Sequence, residues 1–533
     1  METVSSKRNN FSSQALGLLL QIPVFIVSLL GIFNLIKDVI LSFTNFDYLS
    51  KPQFVGLKNY EDIFSMNYRI VINNTQSYML VVFVFSVVFI ISALFIAKLK
   101  PIFGVLAGAL LSVFSLSAWF VSFPKYVFSN DSYGFINSTY MSLGIFNEPI
   151  EWLKEYGSTT YLIFAVAAIA APLFMISYLF AKVGKRKLGV IVSICAMPIL
   201  FANTYTISLN LLGYPAYNYS DWLPLVIKFA YQNAIGSPSA LWVIAIIMFL
   251  LWCAIWCGVI LLFSKLFKRI KMSDNSKKVI GYLFLAYIVI SVVLFALPNF
   301  IISVNNSLKP LDELLIFPQS MFVKRPTISN YTAFFEHSKN FGGVFSSLSD
   351  VWVVFAACII TVVPSAVGFA FLKTKKSKIS VLCAFIPWLA FLPFSYMAQE
   401  YATIRLGEFF TGFGAVVVFL LTYYLTKMLQ NTDKITPFKI ITSVVCVLST
   451  ILFLAATSIN FGTALSNQMN WIKINECCDL KAIAGTGMGF AGDVLLFLFT
   501  LAAAIVPIVS FFAVWLSNNK SKITQYAIKK SEE

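Results

Sequence analysis

Two short polar stretches interrupt otherwise apolar parts of the chain, and their side chains suit the binding of a neutral, hydroxylated solute. They read FANTYTISLN at 201–210 and ATSINF at 456–461. Sugars present hydroxyl groups and flat apolar faces, so amides, hydroxyls and aromatic rings are the protein groups that match them. We therefore predict a substrate pathway lined by Asn203, Tyr205, Ser208, Asn210, Thr457, Ser458 and Asn460.

The same side chains admit a second interpretation, in which they only join helices. Polar residues inside a membrane commonly form hydrogen bonds between helices, worth about 0.6 kcal/mol each. Replacing Asn203 and Asn460 by Leu separates the two interpretations. Pathway residues are needed for uptake, whereas the loss of a helix contact leaves uptake by the folded protein unchanged.

The composition places these stretches inside a membrane. The chain has 533 residues, of which 59% are hydrophobic and 12% charged, and its mean hydropathy is +0.82. Apolar runs of about 20 residues recur throughout, each long enough to cross a hydrocarbon core of about 30 Å as a helix. We predict an all-α polytopic membrane protein with about twelve spans, near 16–42, 76–97, 102–122, 159–181, 189–212, 240–264, 279–303, 351–372, 379–398, 406–426, 440–460 and 494–517.

The net charge of +16 follows the membrane topology. Lys and Arg concentrate in the segments that lie inside when the N-terminus is inside, and Asp and Glu concentrate outside, as the positive-inside rule requires. Nucleic acid is therefore not an expected partner, whereas membrane lipid is. We expect an uncleaved first span, two cytoplasmic termini and, because Lys, Asn, Ile and Phe are abundant, a bacterial plasma membrane.

The sequence contains an internal repeat. The phrase VGLKNYEDIF at 55–64 returns as PTISNYTAFF at 326–335, each time in a long outside loop after the first span of a half. Six spans per half keep both repeats in the same orientation, and parallel repeats are one way in which transporters build a pathway at a repeat interface. We predict a first half at 1–268, a cytoplasmic connector at 269–278 and a second half at 279–533.

The titratable residues indicate no catalytic, metal or cofactor site in this chain, so we do not expect an enzyme. A single histidine, His337, cannot build a metal site alone, and no phosphate-binding Gly-x-x-x-x-Gly-Lys motif occurs. Cys477 and Cys478 are adjacent in an outside loop. They are a vicinal disulfide, a reactive thiol pair or ordinary loop residues, and the sequence leaves these alternatives open. The spans hold almost no charge away from their ends, which favours a neutral cargo over coupling to protons or sodium.

Two outside loops resemble those of a known family. The segment SFTNFDYLSKPQFVGLKNYEDIF at 42–64 is similar to the stretch after the first span in permease subunits of maltose-type ABC sugar importers. The segment YGFINSTYMSLGIFNEPIEWL at 133–153 resembles the larger subunit of that family, and NSLKPLDELLIFPQSMFVKRPTISNYTAFF at 306–335 resembles the smaller one. The resemblance covers nearly the whole chain, as a large and a small subunit fused.

This resemblance implies import of a carbohydrate or a similar neutral polar solute. It also implies an external solute-binding protein on the loops 43–75, 123–158 and 304–350, and a cytoplasmic ABC ATPase dimer that uses the ATP. The family's Glu-Ala-Ala coupling loop is missing, and short turns stand at 181–189 and 429–440 instead. The turns' candidate coupling residues are Lys185, Arg186, Lys187, Lys434 and Phe438.

Two other functions stay open. A degenerate permease without ATPase coupling would act as a membrane scaffold or as a receptor subunit. A secondary transporter of twelve spans is the third alternative; its expected Gly-x-x-x-Asp-Arg turn after the second span is replaced by AKLKPIFG at 97–104.

Overall fold

A computed structural model describes most of the chain. The described residues are 14–46, 51–64, 66–118, 122–132, 134–182, 184–204, 207–208, 211, 222, 226, 238–267, 273–314, 316–317, 320, 322–336, 338–372, 374, 377–379, 381, 414–430, 436–458, 487–495, 497–498, 505–506 and 509. Their regular structure is helical, and they contain one isolated β-bridge, between Thr44 and Phe54.

Ten of the helices precede the predicted connector. They are α1 (Ile22–Leu41), α2 (Lys58–Ile63), α3 (Met66–Ile96), α4 (Pro101–Ser117), α5 (Ser122–Val127), α6 (Phe135–Ser142), α7 (Trp152–Glu155), α8 (Gly157–Lys182), α9 (Arg186–Asn203) and α10 (Pro238–Phe267).

The helices after the connector begin with α11 (Asp274–Ser291), which continues through a π-helical turn at Val292–Ala296 into α12 (Leu297–Ser307). The others are α13 (Leu311–Leu314), α14 (Ser329–Glu336), α15 (Ser338–Phe371), α16 (Gly414–Gln430) and α17 (Pro437–Ser458).

The chain is an all-α polytopic membrane protein, as the sequence predicts. Among the described residues, five helical stretches are long and apolar enough to cross a membrane: Arg69–Ile96, Gly157–Lys182, Ser239–Ile260, Asp274–Ser307 and Val351–Phe371. Shorter apolar helices at Gln14–Leu29, Pro101–Ser117, Ala415–Gln430 and Pro437–Leu452 coincide with further predicted spans. Most of the predicted spans 379–398 and 494–517 lies outside the described residues.

Helix α8 lies at the centre of the first half and packs against α3, α4 and α9. Its contact with α4 is tightened by Ser115, whose hydroxyl donates to the Ala167 carbonyl at 2.7 Å and accepts from the Ala171 N–H at 3.0 Å. The hydroxyl thereby enters the hydrogen-bond ladder of α8 just before Pro172. An inserted side chain beside a proline is a recognised cause of helix bending.

The first helix of each half packs on the other half. A Cβ added at Gly281 in α11 would lie 3.0 Å from the Phe95 carbonyl near the end of α3. In the reciprocal contact, a Cβ at Gly17 would lie 3.0 Å from the Gly368 carbonyl near the end of α15. Small residues let helix backbones approach closely where lipid offers no hydrophobic driving force. Helices that the sequence assigns to different halves therefore pack closely against each other.

Hydrogen bonds fix this packing on both sides. The buried Gln21 amide donates to the Ser365 carbonyl at 3.0 Å, and the Ser365 hydroxyl donates back to its oxygen. In the other contact, Asn299 of α12 donates to the Ser117 carbonyl at the end of α4 at 2.7 Å.

Candidate functional site

A buried aromatic cluster surrounds the end of the fifth span. The Phe201 ring of α9 stacks on Trp222 with ring centroids 4.6 Å apart, and Tyr161 of α8 lies 5.7 Å from the same indole. Tyr78 of α3 closes the cluster at 6.1 Å from Tyr161. All four side chains are buried. Side chains of three helices and Trp222 thus pack together in one buried aromatic cluster.

Hydroxyl groups line this cluster. Thr204 follows the last residue of α9 and is fully buried, and its hydroxyl lies 2.7 Å from the Tyr161 hydroxyl. One turn later, the N–H of Ser208 donates to the Thr204 carbonyl at 3.3 Å. The cluster therefore combines flat apolar rings with hydroxyls, which is the pairing that a sugar requires.

Two polar groups of this region have no hydrogen-bond partner within the described part of the chain. They are the Ser208 hydroxyl and the indole N–H of Trp222, both buried. A buried donor left unsatisfied costs about 1–3 kcal/mol, so each group bonds either a part of the chain outside the described residues or a bound molecule. Both groups can donate to a solute hydroxyl.

The predicted pathway residues lie partly outside the described residues. Ser208 is placed and buried beside the cluster, whereas Tyr205, Asn210 and Asn460 lie outside. Asn203 ends α9, and Thr457 and Ser458 end α17, but their side chains are outside the described part. That the two polar stretches face each other across the interface of the halves stays a prediction.

Four residues of the cluster were not predicted as candidates from the sequence: Tyr78, Tyr161, Thr204 and Trp222. Thr204 lies inside the quoted stretch and occurs one turn before Ser208, so helical spacing pointed to it. The aromatic residues gave no such signal, because they come from separate helices in a chain with 53 Phe, 23 Tyr and 10 Trp. Only the packing of α3, α8 and α9 brings them together.

The predicted coupling turn of the first half is a tight connection. Helix α8 ends at Lys182 and α9 begins at Arg186. Between them Gly184 adopts φ +82°, which favours glycine, and the Lys185 N–H donates to the Phe180 carbonyl at 2.8 Å. This connection has no room for a separate helix. Lys185, Arg186 and Lys187 are exposed on it.

The corresponding turn of the second half is described only in part. Phe438 lies in the first turn of α17 and is exposed, whereas Lys434 is outside the described residues.

The repeated Asn-Tyr motif forms the same structure in both outside loops. In the first loop the Asn59 amide donates to the Ser42 and Thr44 carbonyls at 2.9 and 2.8 Å, and the Tyr60 and Ser42 hydroxyls lie 2.6 Å apart. The Ser42 hydroxyl also lies 2.6 Å from the Val39 carbonyl. The motif thereby ties the end of α1 to the short helix before α3.

The second loop repeats each of these contacts. The Asn330 amide donates to the Ser307 and Lys309 carbonyls at 2.9 and 2.8 Å, and the Tyr331 and Ser307 hydroxyls lie 2.7 Å apart. The Ser307 hydroxyl lies 2.7 Å from the Val304 carbonyl. One local structure is therefore built twice from the repeated phrase.

Among the described residues of the two loops, only those of the second include a buried acid and a buried base. Lys309 is fully buried, and its ammonium donates to the Ser320 carbonyl at 2.7 Å. The nearly buried Glu313 carboxylate accepts the backbone N–H groups of Lys324 at 3.1 Å and Arg325 at 2.8 Å. Burial lowers the pKa of Lys309 to about 8, and the charge of Glu313 opposes that shift.

The helices that follow the two loops are longer than a hydrocarbon core is thick. Helix α3 has 31 residues and α15 has 34. At about 1.5 Å per residue they are about 46 and 51 Å long, against a hydrocarbon core of about 30 Å. Each helix therefore exceeds that thickness by about 15–20 Å. Hydropathy predicted only their most apolar parts, so the predicted spans begin later than the helices.

Matching positions of both motifs expose apolar side chains. Leu57 and Ile328, each two residues before the Asn, are 61% and 68% exposed. Phe64 and Phe335, each five residues after it, are 65% and 51% exposed. The exposed apolar groups of the two motifs therefore recur at the same register.

Comparisons with known proteins give no family for this chain. No family model and no curated protein matches it. Among solved structures, it is matched to a crystal structure of a point mutant of VcmN, a MATE transporter of Vibrio cholerae, with 12% identity over 95% of this chain and 99% of that chain. The TM-score of 0.12 is too low to carry an argument.

Proposed function

We propose that this chain is the transmembrane permease component of an ABC-type importer for a carbohydrate or a similar neutral polar solute. The observation that carries the proposal is the buried cluster of Tyr161, Phe201 and Trp222 with the Ser208 hydroxyl and the Trp222 indole N–H unpartnered among the described residues. Rings offer stacking surfaces for a sugar, and the two donors offer hydrogen bonds to its hydroxyls.

A neutral cargo fits this cluster better than an ion. The described side chains that form it carry rings and hydroxyls and no charge. Burying an ionised cargo among uncharged groups would cost far more than burying a hydroxylated one whose hydrogen bonds are met.

The outer loops suit the docking of an external solute-binding protein. The two Asn-Tyr motifs expose Leu57, Phe64, Ile328 and Phe335, and the predicted topology puts both motifs on the outer side of the membrane. An apolar core with a polar rim is typical of a protein interface. The buried charges of the second loop hold its backbone in one shape, which lowers the cost of ordering when a partner binds.

A cytoplasmic ABC ATPase dimer would supply the energy, since this chain has no nucleotide-binding motif of its own. The basic turn from Lys185 to Lys187 and the exposed Phe438 would contact it. The tight α8–α9 connection favours a second candidate function, because it contains no separate helix that could dock into an ATPase. In that case the chain is a pseudo-permease that serves as a scaffold or receptor subunit.

Uptake measurements test the solute site. A strain that lacks the chain is compared with its parent on a panel of labelled mono- and oligosaccharides, and the sugar whose uptake is lost becomes the probe. The Trp222→Phe variant keeps a ring but loses the indole N–H, and Ser208→Ala loses the hydroxyl. Each should raise the KM for uptake about tenfold, since a lost hydrogen bond of about 1.4 kcal/mol corresponds to that factor.

The matched control is Ser193→Ala. Ser193 is also buried in this region, on α9, but its hydroxyl already bonds that of Ser177 at 2.7 Å, away from the cluster. Its KM should stay within twofold of the parent. Unchanged KM values in Trp222→Phe and Ser208→Ala, at normal amounts of folded protein, would remove the cluster from the pathway.

A further inference from the structure

Two thiols of the fifth and sixth spans touch inside the first half. The Sγ atoms of Cys195 in α9 and Cys257 in α10 are 3.7 Å apart. Cys253, one turn before Cys257, places its Sγ 4.0 Å from the Cys195 carbonyl oxygen. All three are reduced and partly exposed, whereas Cys358 and Cys446 are reduced and buried.

The pair lies near the middle of the membrane. Cys195 is nine residues from the inner start of α9 at Arg186, and Cys257 is ten residues from the inner end of α10 at Phe267. At about 1.5 Å per residue both thiols are about 14–15 Å deep, half of the hydrocarbon thickness. The two depths agree, as they must for neighbours on antiparallel helices.

The thiols are reachable from lipid. Both thiols are partly exposed, and Leu250, two turns before Cys257 on the same face of α10, is exposed as well. Water-soluble reductants such as glutathione do not enter the hydrocarbon layer, whereas a lipid-soluble oxidant does.

We propose that Cys195 and Cys257 form an oxidisable dithiol that a membrane quinone converts into a disulfide. Both S–H bonds break and one S–S bond forms, and the quinone takes the two electrons and two protons to become a quinol. The sulfur atoms must close from 3.7 Å to about 2.05 Å. Oxidation of protein dithiols by quinone has precedent in membrane oxidation systems.

The disulfide would join α9 to α10 at mid-depth. Helix α9 carries Phe201 of the aromatic cluster, so the bond would fix one wall of that cluster against the sixth span. Formation of the disulfide does not rest on the proposed transport function. Its effect on uptake does, and the two are measured separately.

The test uses membranes that contain the full chain. They are incubated with a short-tailed ubiquinone analogue, denatured under trapping conditions, and labelled with a maleimide that reports free thiols. Compared with untreated membranes, two further cysteines should become unreactive, and mass spectrometry of the digest should find a peptide linked between Cys195 and Cys257. Dithiothreitol should restore the reactivity of both.

Variants and a second readout complete the test. The linked peptide should be absent in Cys257→Ala, or in Cys195→Ala if the first variant does not accumulate, and should persist in Cys446→Ala. The thermal unfolding midpoint of the oxidised protein should rise by a few degrees, because the bond constrains the unfolded chain. A number of reactive thiols that quinone treatment leaves unchanged, or a linked pair without Cys257, would overturn the proposal. If the disulfide forms and sugar uptake is unchanged, the proposal of an oxidisable dithiol stands, and its effect on the transport pathway is rejected.

Discussion

The two loops that contain the Asn-Tyr motif share a framework of hydrogen bonds made by its Asn and Tyr side chains. They differ in the other side chains that this framework surrounds. In both, an Asn amide bonds two carbonyls after the first span and a Tyr hydroxyl bonds a Ser hydroxyl. The Ser and Asn are 17 residues apart in the first loop and 23 in the second. The longer loop holds the buried Lys309 and Glu313, where the first has Thr44 bonded to Leu41.

The shared side chains and the buried charges have different structural roles. The shared side chains bond backbone groups within their own loop, so they set the geometry with which each half enters its second span. The buried charges act only within the second loop, because Glu313 caps the N–H groups of Lys324 and Arg325. The framework therefore follows the internal repeat, and the extra residues give each half a different outer surface.

The largest effect is expected from removing the buried acid. Glu313→Ala leaves Lys309 buried without its nearby opposite charge and two backbone N–H groups without an acceptor. Each buried donor left without its acceptor costs about 1–3 kcal/mol. We expect the second loop to become sensitive to limited proteolysis while the first loop stays protected. Asp312→Ala, which removes an exposed partner of Arg325, should change little.

The next effect tests the shared framework. Asn59→Ala and Asn330→Ala each leave two carbonyls without a side-chain donor. We expect each to destabilise its own loop by about 2 kcal/mol, at about 1 kcal/mol per hydrogen bond. Hydrogen exchange of the two loops, followed by mass spectrometry, should show matching increases. A strong effect in one loop with none in the other would contradict the equivalence of the two motifs.

A smaller effect is expected from the paired hydroxyls. Tyr60→Phe and Tyr331→Phe each remove one hydrogen bond, to Ser42 and Ser307 respectively, and keep the ring. About 1 kcal/mol should be lost in each loop. The same exchange measurement serves, with Tyr156→Phe as control, since that side chain is exposed.

The smallest effect is a dependence on pH confined to the second loop. Burial lowers the pKa of Lys309 from 10.5 to about 8, so between these values the unfolded loop binds more protons than the folded one. Protection of the second loop should therefore rise as the pH increases from about 8 to about 10.5. Lys309→Met should abolish this slope, and the first loop, which has Thr44 in that position, should show none after correction for the intrinsic exchange rate.

Hydropathy was sufficient to predict the helical membrane class, because each span must bury about 20 apolar residues whatever its neighbours are. The Asn-Tyr motif was visible for a similar reason, since its hydrogen bonds lie within one loop. The cluster of Tyr78, Tyr161 and Trp222 was not predictable, because its residues are far apart in the sequence and meet only when the helices pack. The contact of Gly17 with Gly368 likewise depends on which spans are neighbours.

Isolation of the chain from native membranes tests the permease proposal most directly. The chain is extracted in mild detergent, its partners are identified by mass spectrometry, and ATPase activity is measured with and without the external binding protein. The proposal predicts an ABC ATPase in the complex whose activity rises when the binding protein and its sugar are added. A complex with a binding protein and no ATPase, or with neither, would contradict it.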